Sequence, residues 1–136
     1  MASSVAIQGG VGFPARTATL PALPGLPKLP GLPTVLVVIG LALVPWMGVL
    51  AASGEWSWVG LDVLEAAGLI STGLLLRRGD GRAAVTAGAT AALLLTDAWF
   101  DVMTSHGAEL SQAWLLALLL ELPIAALCAR LALRAR

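Results

Sequence analysis

The run Thr34-Val-Leu-Val-Val-Ile-Gly-Leu-Ala-Leu-Val-Pro-Trp-Met-Gly-Val-Leu-Ala-Ala52 contains no charged residue. A helix needs about 20 predominantly apolar residues to cross the hydrocarbon core of a bilayer. Helix is also the structure that satisfies its own backbone hydrogen bonds where no water can. This stretch therefore reads as a membrane span. Val49-Leu-Ala-Ala52 has the look of a signal-peptidase site. The apolar run is nevertheless longer than the roughly 7–15 residues of a signal core.

Three further runs of the same kind follow: Trp58 to Leu76, Ala83 to Met103, and about Leu110 to Leu131. The connections between them are short, namely Ser53 to Ser57, Arg77 to Arg82 and Thr104 to Glu109. Short connections make successive helices antiparallel. The expected fold is all-α, a transmembrane four-helix up-down-up-down bundle covering residues 34–136. Composition agrees. The 136 residues are 58% hydrophobic and 12% charged, with a mean hydropathy of +0.89. A soluble domain carries about 25% charged residues. The net charge is zero, and nothing in the sequence suggests a nucleic-acid binder. One cysteine, Cys128, excludes an internal disulfide and a cysteine-rich metal site, and reads as a small packing residue.

Residues 1–33 are different in kind. Between Leu20 and Pro33 a proline recurs about every third residue. Each proline removes a backbone donor and disfavours helix in the residue before it. A flexible, polyproline-like tail, disordered and cytoplasmic, is expected for 1–33.

Charge sets the expected orientation. Arg16, Lys28, Arg77, Arg78, Arg82, Arg130, Arg134 and Arg136 are all the basic residues of the chain. Four spans place every one of them on the same side, which the positive-inside rule makes cytoplasmic. Trp56, Trp58, Trp99 and Trp114 fall near the opposite interface, where amphipathic rings prefer to sit. Both termini are expected inside, in a bacterial inner membrane.

Five acids fall within the spans: Asp62, Glu65, Asp97, Asp101 and Glu121. A charge at the bilayer centre costs at least about 2.5–3.5 kcal/mol, so such residues face a bundle interior or a wet cavity. Asp62 and Glu65, three apart, share a helix face, and Thr72 continues it. Asp97 and Asp101, four apart, share another, extended by Thr86, Thr90 and Thr104. At 1.5 Å per residue the depths from the outer ends are about 7 Å for Asp62, 11 Å for Glu65, 10 Å for Asp97, 4 Å for Asp101 and 12–15 Å for Glu121. The five therefore form a candidate outward-side acidic cluster. Pro123 deprives a carbonyl one turn earlier of its donor, adding an acceptor near the acids. No lysine or arginine lies in this half. Either the acids stay protonated and hydrogen-bond one another, or a cation binds.

His106 with Asp101 is a weaker candidate metal pair, and a solvated loop histidine is the plainer reading. The Glu-x-x-His motif of di-iron bundles is not present. Ala83 to Ala92 is nearly all small residues and reads as a helix-packing surface.

The segments Trp58-Val-Gly-Leu-Asp-Val-Leu-Glu65, Leu95-Thr-Asp-Ala-Trp-Phe-Asp101 and Glu121-Leu-Pro123 resemble a group of small actinobacterial integral membrane proteins of unassigned function. The resemblance covers the four-helix part. It implies the fold and an inner-membrane location, and supplies no reaction, cofactor or ligand.

Three functions remain open from sequence. The acids bind a cation, protons or a basic small molecule, in which case so small a bundle is expected to work as a homo-oligomer. Alternatively the chain is an accessory subunit with a membrane-protein partner, the acids serving as interhelical glue and the tail as a recruiter. The third is a membrane acid–base enzyme acting on a lipid or isoprenoid-like substrate, for which no catalytic motif is visible.

Overall fold

The structure, a computed structural model, describes residues 31–134. The expected tail lies almost wholly outside that range, as do Arg16, Lys28 and Arg136. Every regular element among the described residues is helical: α1 (Leu32–Ala52), α2 (Trp56–Arg77), α3 (Ala83–Thr104) and α4 (Ala108–Arg134). All four are long and apolar enough to cross a membrane.

The helices are slightly longer than their sequence pattern. α1 begins at Leu32, not Thr34, because Pro33 sits in the first turn, where its missing N–H costs no intrahelical bond. α2 takes in Trp56 and Ser57, which the pattern placed in the connection. The connections shrink accordingly to Ser53–Glu55, Arg78–Arg82 and Ser105–Gly107.

The first two turns use one device. After α1, the Glu55 N–H donates to Leu50 O at 2.9 Å and the Gly54 N–H to Ala51 O at 3.1 Å. After α2, the Asp80 N–H donates to Leu75 O at 3.0 Å and the Gly79 N–H to Leu76 O at 3.1 Å. Each is a Schellman closure that satisfies terminal carbonyls, and it requires a left-handed residue, here Gly54 (φ 82°) and Gly79 (φ 65°).

Each helix packs on the one before it. α1 rests on α2, α2 on α3, and α4 on α3, while α1 makes no close backbone approach to α3 or α4. The α1–α2 seam is set by small residues. A β-carbon on Gly40 would lie 2.8 Å from Ile70 Cγ1 and 3.0 Å from Ala66 O. One on Gly73 would lie 2.6 Å from Pro33 O. Small side chains allow such approach, which in lipid must supply the packing energy that hydrophobic collapse supplies in water.

The small-residue stretch of α3 does face its neighbours, with Ala83, Ala87, Thr90 and Ala91 buried. Leu36, Leu69, Ala87, Ala91 and Cys128 form the central apolar cluster, with Cys128 fully buried as a packing residue. Outward the molecule is greasy: Val38, Val44, Val85, Leu95, Leu118 and Leu119 are all more than half exposed. A contiguous apolar surface of this kind belongs against lipid or protein, not water.

α4 is not one regular helix. Ala108–Leu116 and Leu122–Arg134 are α-helical, and Ala117–Glu121 between them is a π turn. The Leu122 N–H donates to Ala117 O, five residues back. Pro123 follows directly. It offers no N–H to Leu119 O, and its ring crowds that carbonyl in a regular helix. A widened turn relieves both, and such single π turns are frequent at functional sites.

Candidate functional site

The polar seam between α2 and α3 starts from two short spacings. Asp62 and Glu65, three residues apart on α2, turn inward together and are buried. On α3, Asp97 is buried in the same stripe as Thr90, Leu94 and Ala98. The antiparallel packing brings these three acids side by side. One carboxylate oxygen from each of Asp62, Glu65 and Asp97 lies within 4.8 Å of the others.

The remaining two acids are placed differently. Asp101, one turn further along α3, is half-buried, as is Glu121 in the π turn. Both lie within Coulombic range of Glu65 without joining the close triad. Thus three of the five sequence candidates form the centre and two flank it. His106 is exposed in the connection after α3 and stands outside the triad.

The triad is short of partners. Asp62 Oδ2, Glu65 Oε1 and Glu121 Oε2 are sealed from solvent with no hydrogen-bond donor. Among the described residues the single ion pair joins Arg82 to Asp80 at 2.7 Å, at the other end of the helices. Arg77 is twelve residues beyond Glu65 on α2, roughly 18 Å along the axis.

Below the acids the seam continues as hydroxyls. The Thr72 Oγ1–H donates to Thr86 Oγ1 at 3.0 Å, joining α2 to α3. Thr86 Oγ1 donates in turn to Ala83 O at 3.1 Å, and Thr90 Oγ1 to Thr86 O at 2.8 Å. Thr72 and Thr90 are fully buried. Sequence spacing placed these threonines on the acidic stripes. The direct bond across the helices depends on register between α2 and α3, which spacing does not carry.

Next to the acids, α3 and the first half of α4 diverge. Between them lies an open apolar groove of about 360 Å³, lined by Leu95, Trp99, Met103, Trp114 and Leu122 among others. Two of its wall residues, Ala98 and Leu122, directly follow Asp97 and Glu121 in sequence. Sequence reasoning missed this groove and the π turn at its edge. The available signal was Pro123, two residues after Glu121.

Asp80 and Arg82 serve the opposite end. Asp80 Oδ1 accepts from the Arg82 N–H at 2.9 Å, and both its oxygens accept from the guanidinium. These bonds to Arg82, side chain first and backbone second, hold the Asp80 carboxyl down at about 2, against an ordinary 3.8.

No family model matches the chain, and no curated protein or solved structure matches it significantly.

Proposed function

We propose that this is a multi-pass protein of a bacterial inner membrane, both termini cytoplasmic, that holds a positively charged ligand on the carboxylates of its outer half. The ligand class is a cation, protons or a basic small molecule. One observation carries the reading: one oxygen from each of Asp62, Glu65 and Asp97 meets the others within 4.8 Å across two helices, all three residues buried, with orphaned oxygens on Asp62 and Glu65 and no ion pair to a basic residue among the described residues. Ionised carboxylates out of water require a positive partner or strong hydrogen bonds. The reading of the acids as mere glue would need them to hydrogen-bond, and three of their buried oxygens do not.

Orientation rests on the arginines. Arg77, Arg78, Arg82, Arg130 and Arg134 gather at one end of the described helices, the end away from the acids. The positive-inside rule makes that end cytoplasmic, so the carboxylates open outward.

The test is thermal unfolding of the detergent-solubilised chain across a series of metal ions, organic amines and pH values at matched ionic strength. A ligand that binds the folded state raises the midpoint. The expected result is a rise with at least one of them, abolished in Asp62→Asn and Asp97→Asn. Midpoints indifferent to every cation and to pH would sink the reading.

The apolar groove favours a second reading, a membrane acid–base enzyme on a lipid or isoprenoid-like substrate, with the chain seated between Trp99 and Trp114 and the acids at its head. Acid-dependent conversion of a lipid on expression would replace the first reading with this one.

A further inference from the structure

The geometry of the triad restricts the ligand further. Oxygens bound to one Mg²⁺ or Ca²⁺ lie about 2.0–2.6 Å from it, so no two of them can be more than roughly 4–5 Å apart. One oxygen from each of Asp62, Glu65 and Asp97 falls within 4.8 Å of the other two, which is the span of one such sphere.

A second observation points to the same place. Glu65 is 2% exposed, and its buried Oε1 has no donor. Asp62, at 7% exposure, presents a similarly orphaned Oδ2. A glutamate facing lipid would carry the insertion cost given above, but burial beside other carboxylates is no cheaper unless a partner offsets their charge. Here it is buried among them.

The donor set selects the class of ion. It is entirely carboxylate oxygen. Cys128 is packed in the apolar cluster with Ala87 and Ala91, and His106 is exposed beyond the end of α3. Zinc and copper would lack the imidazole or thiolate they favour, whereas oxygen-only sites suit Mg²⁺, Ca²⁺ and Mn²⁺. A monovalent ion would leave most of the charge of three carboxylates uncompensated in a low-dielectric site. A divalent ion removes twice as much.

We infer that Asp62, Glu65 and Asp97 bind a single hard divalent cation of the Mg²⁺, Ca²⁺ or Mn²⁺ class. This rests on the carboxylate site proposed above and narrows its ligand to one kind. The ion ties α2 to α3 at their outer ends, as the Thr72–Thr86 bond ties them lower down. Glu121 stands beside the site on a third helix, its carboxylate the next available donor.

Mn²⁺ is the probe, followed by the loss of its free-ion paramagnetic resonance signal on titration into the full chain in lipid nanodiscs. The expected result is saturable uptake of one Mn²⁺ per chain, displaced by Mg²⁺ or Ca²⁺ and insensitive to a large excess of Na⁺. Glu65→Gln and Asp97→Asn, close in shape to the native residues, should each weaken uptake at least as much as the about 10–100-fold that removing an outer-shell group costs a metal site. Glu55→Gln and Glu109→Gln, acids at the same end outside the triad, should leave it unchanged. The wild-type competition series decides the ion class even where a triad variant fails to fold. Acid-dependent binding of Na⁺ or protons with no Mn²⁺ site would overturn this inference and leave the broader reading standing. No acid-dependent binding of any cation would overturn both. Mn²⁺ uptake lost in Glu55→Gln or Glu109→Gln and kept in the triad variants would place the ion on the surface and overturn the inference alone.

Discussion

Gly68 of α2 sits directly against the hydroxyl of Thr90 of α3: a β-carbon at residue 68 would collide with Thr90 Oγ1 and come within 3.3 Å of Thr90 Cβ. Thr90 is fully buried, and its hydroxyl is already committed to Thr86 O. The seam between α2 and α3 therefore has no slack at this level, one turn from Glu65.

Gly68→Ala should push the two helices apart and destabilise the fold by about 1–3 kcal/mol, the usual cost of overpacking. Thr90→Ala in the same chain should recover part of that loss. Both are measurable by unfolding in mixed micelles. Equal stability of Gly68→Ala and wild type would show that the seam yields.

Thr72 and Thr86 form a direct interhelical bond, so a double-mutant cycle with Thr72→Val and Thr86→Val should return a coupling of about 0.6 kcal/mol, the average for such bonds in membranes. A coupling of zero would mean the hydroxyls find equivalent partners when separated.

Asp80 gives a signed pH dependence. Its folded value of about 2 lies below the ordinary 3.8. Its contribution to stability is therefore fully present above about 3.8 and lost as pH falls through about 2. Carboxyl carbon resonances should titrate Asp80 near 2 in the native chain and closer to 3.8 in Arg82→Ala. A midpoint of 3.8 in both would show that the guanidinium does not hold it.

Orientation is open to labelling with a membrane-impermeant maleimide on intact cells. Cys128, fully buried, should stay silent and make a clean background. Ser53→Cys and Ser105→Cys, in the connections at the acid end, should react at once. Gly81→Cys should react only after permeabilisation. The reverse pattern would invert the topology.

Pro123→Ala restores the N–H that Leu119 O lacks and should let Ala117–Glu121 relax into α-helix. The first half of α4 then rotates by about 100°, one residue's worth of helical phase. Spin labels at Gln112 and Gly60 should report an altered distance; an unchanged one would mean Pro123 does not hold the π turn.

Much of the fold was legible because lipid permits so little else. A run such as Thr34–Ala52 has few alternatives once backbone groups must pair within the segment. The terminal residues were less legible, since Pro33 and Trp56 read equally well as the last residue of a loop or the first turn of a helix. For the site, spacing put Asp62 with Glu65 because both belong to one helix. It also put Asp97 with Asp101, yet only Asp97 reaches the triad. That choice is made by where α3 slides along α2, and the slide is fixed by contacts such as Gly68 on Thr90 that one helix does not encode. The π turn was illegible for a related reason. Its wider turn leaves the composition of Ala117–Glu121 looking like any other apolar helix.

The tight seam between α1 and α2 bears on how the chain enters the membrane. Helices emerge from the ribosome in order, so α2 reaches the bilayer carrying Asp62 and Glu65 before Asp97 or any later residue exists to meet them. By then α1, the most apolar of the four, is already made. Gly40 and Gly73 let α2 dock against it at once, through contacts with Ala66, Ile70 and Pro33 that need nothing from α3. In that order of synthesis the first helix, which carries no acid, is the one packing partner that α2 has until the third arrives.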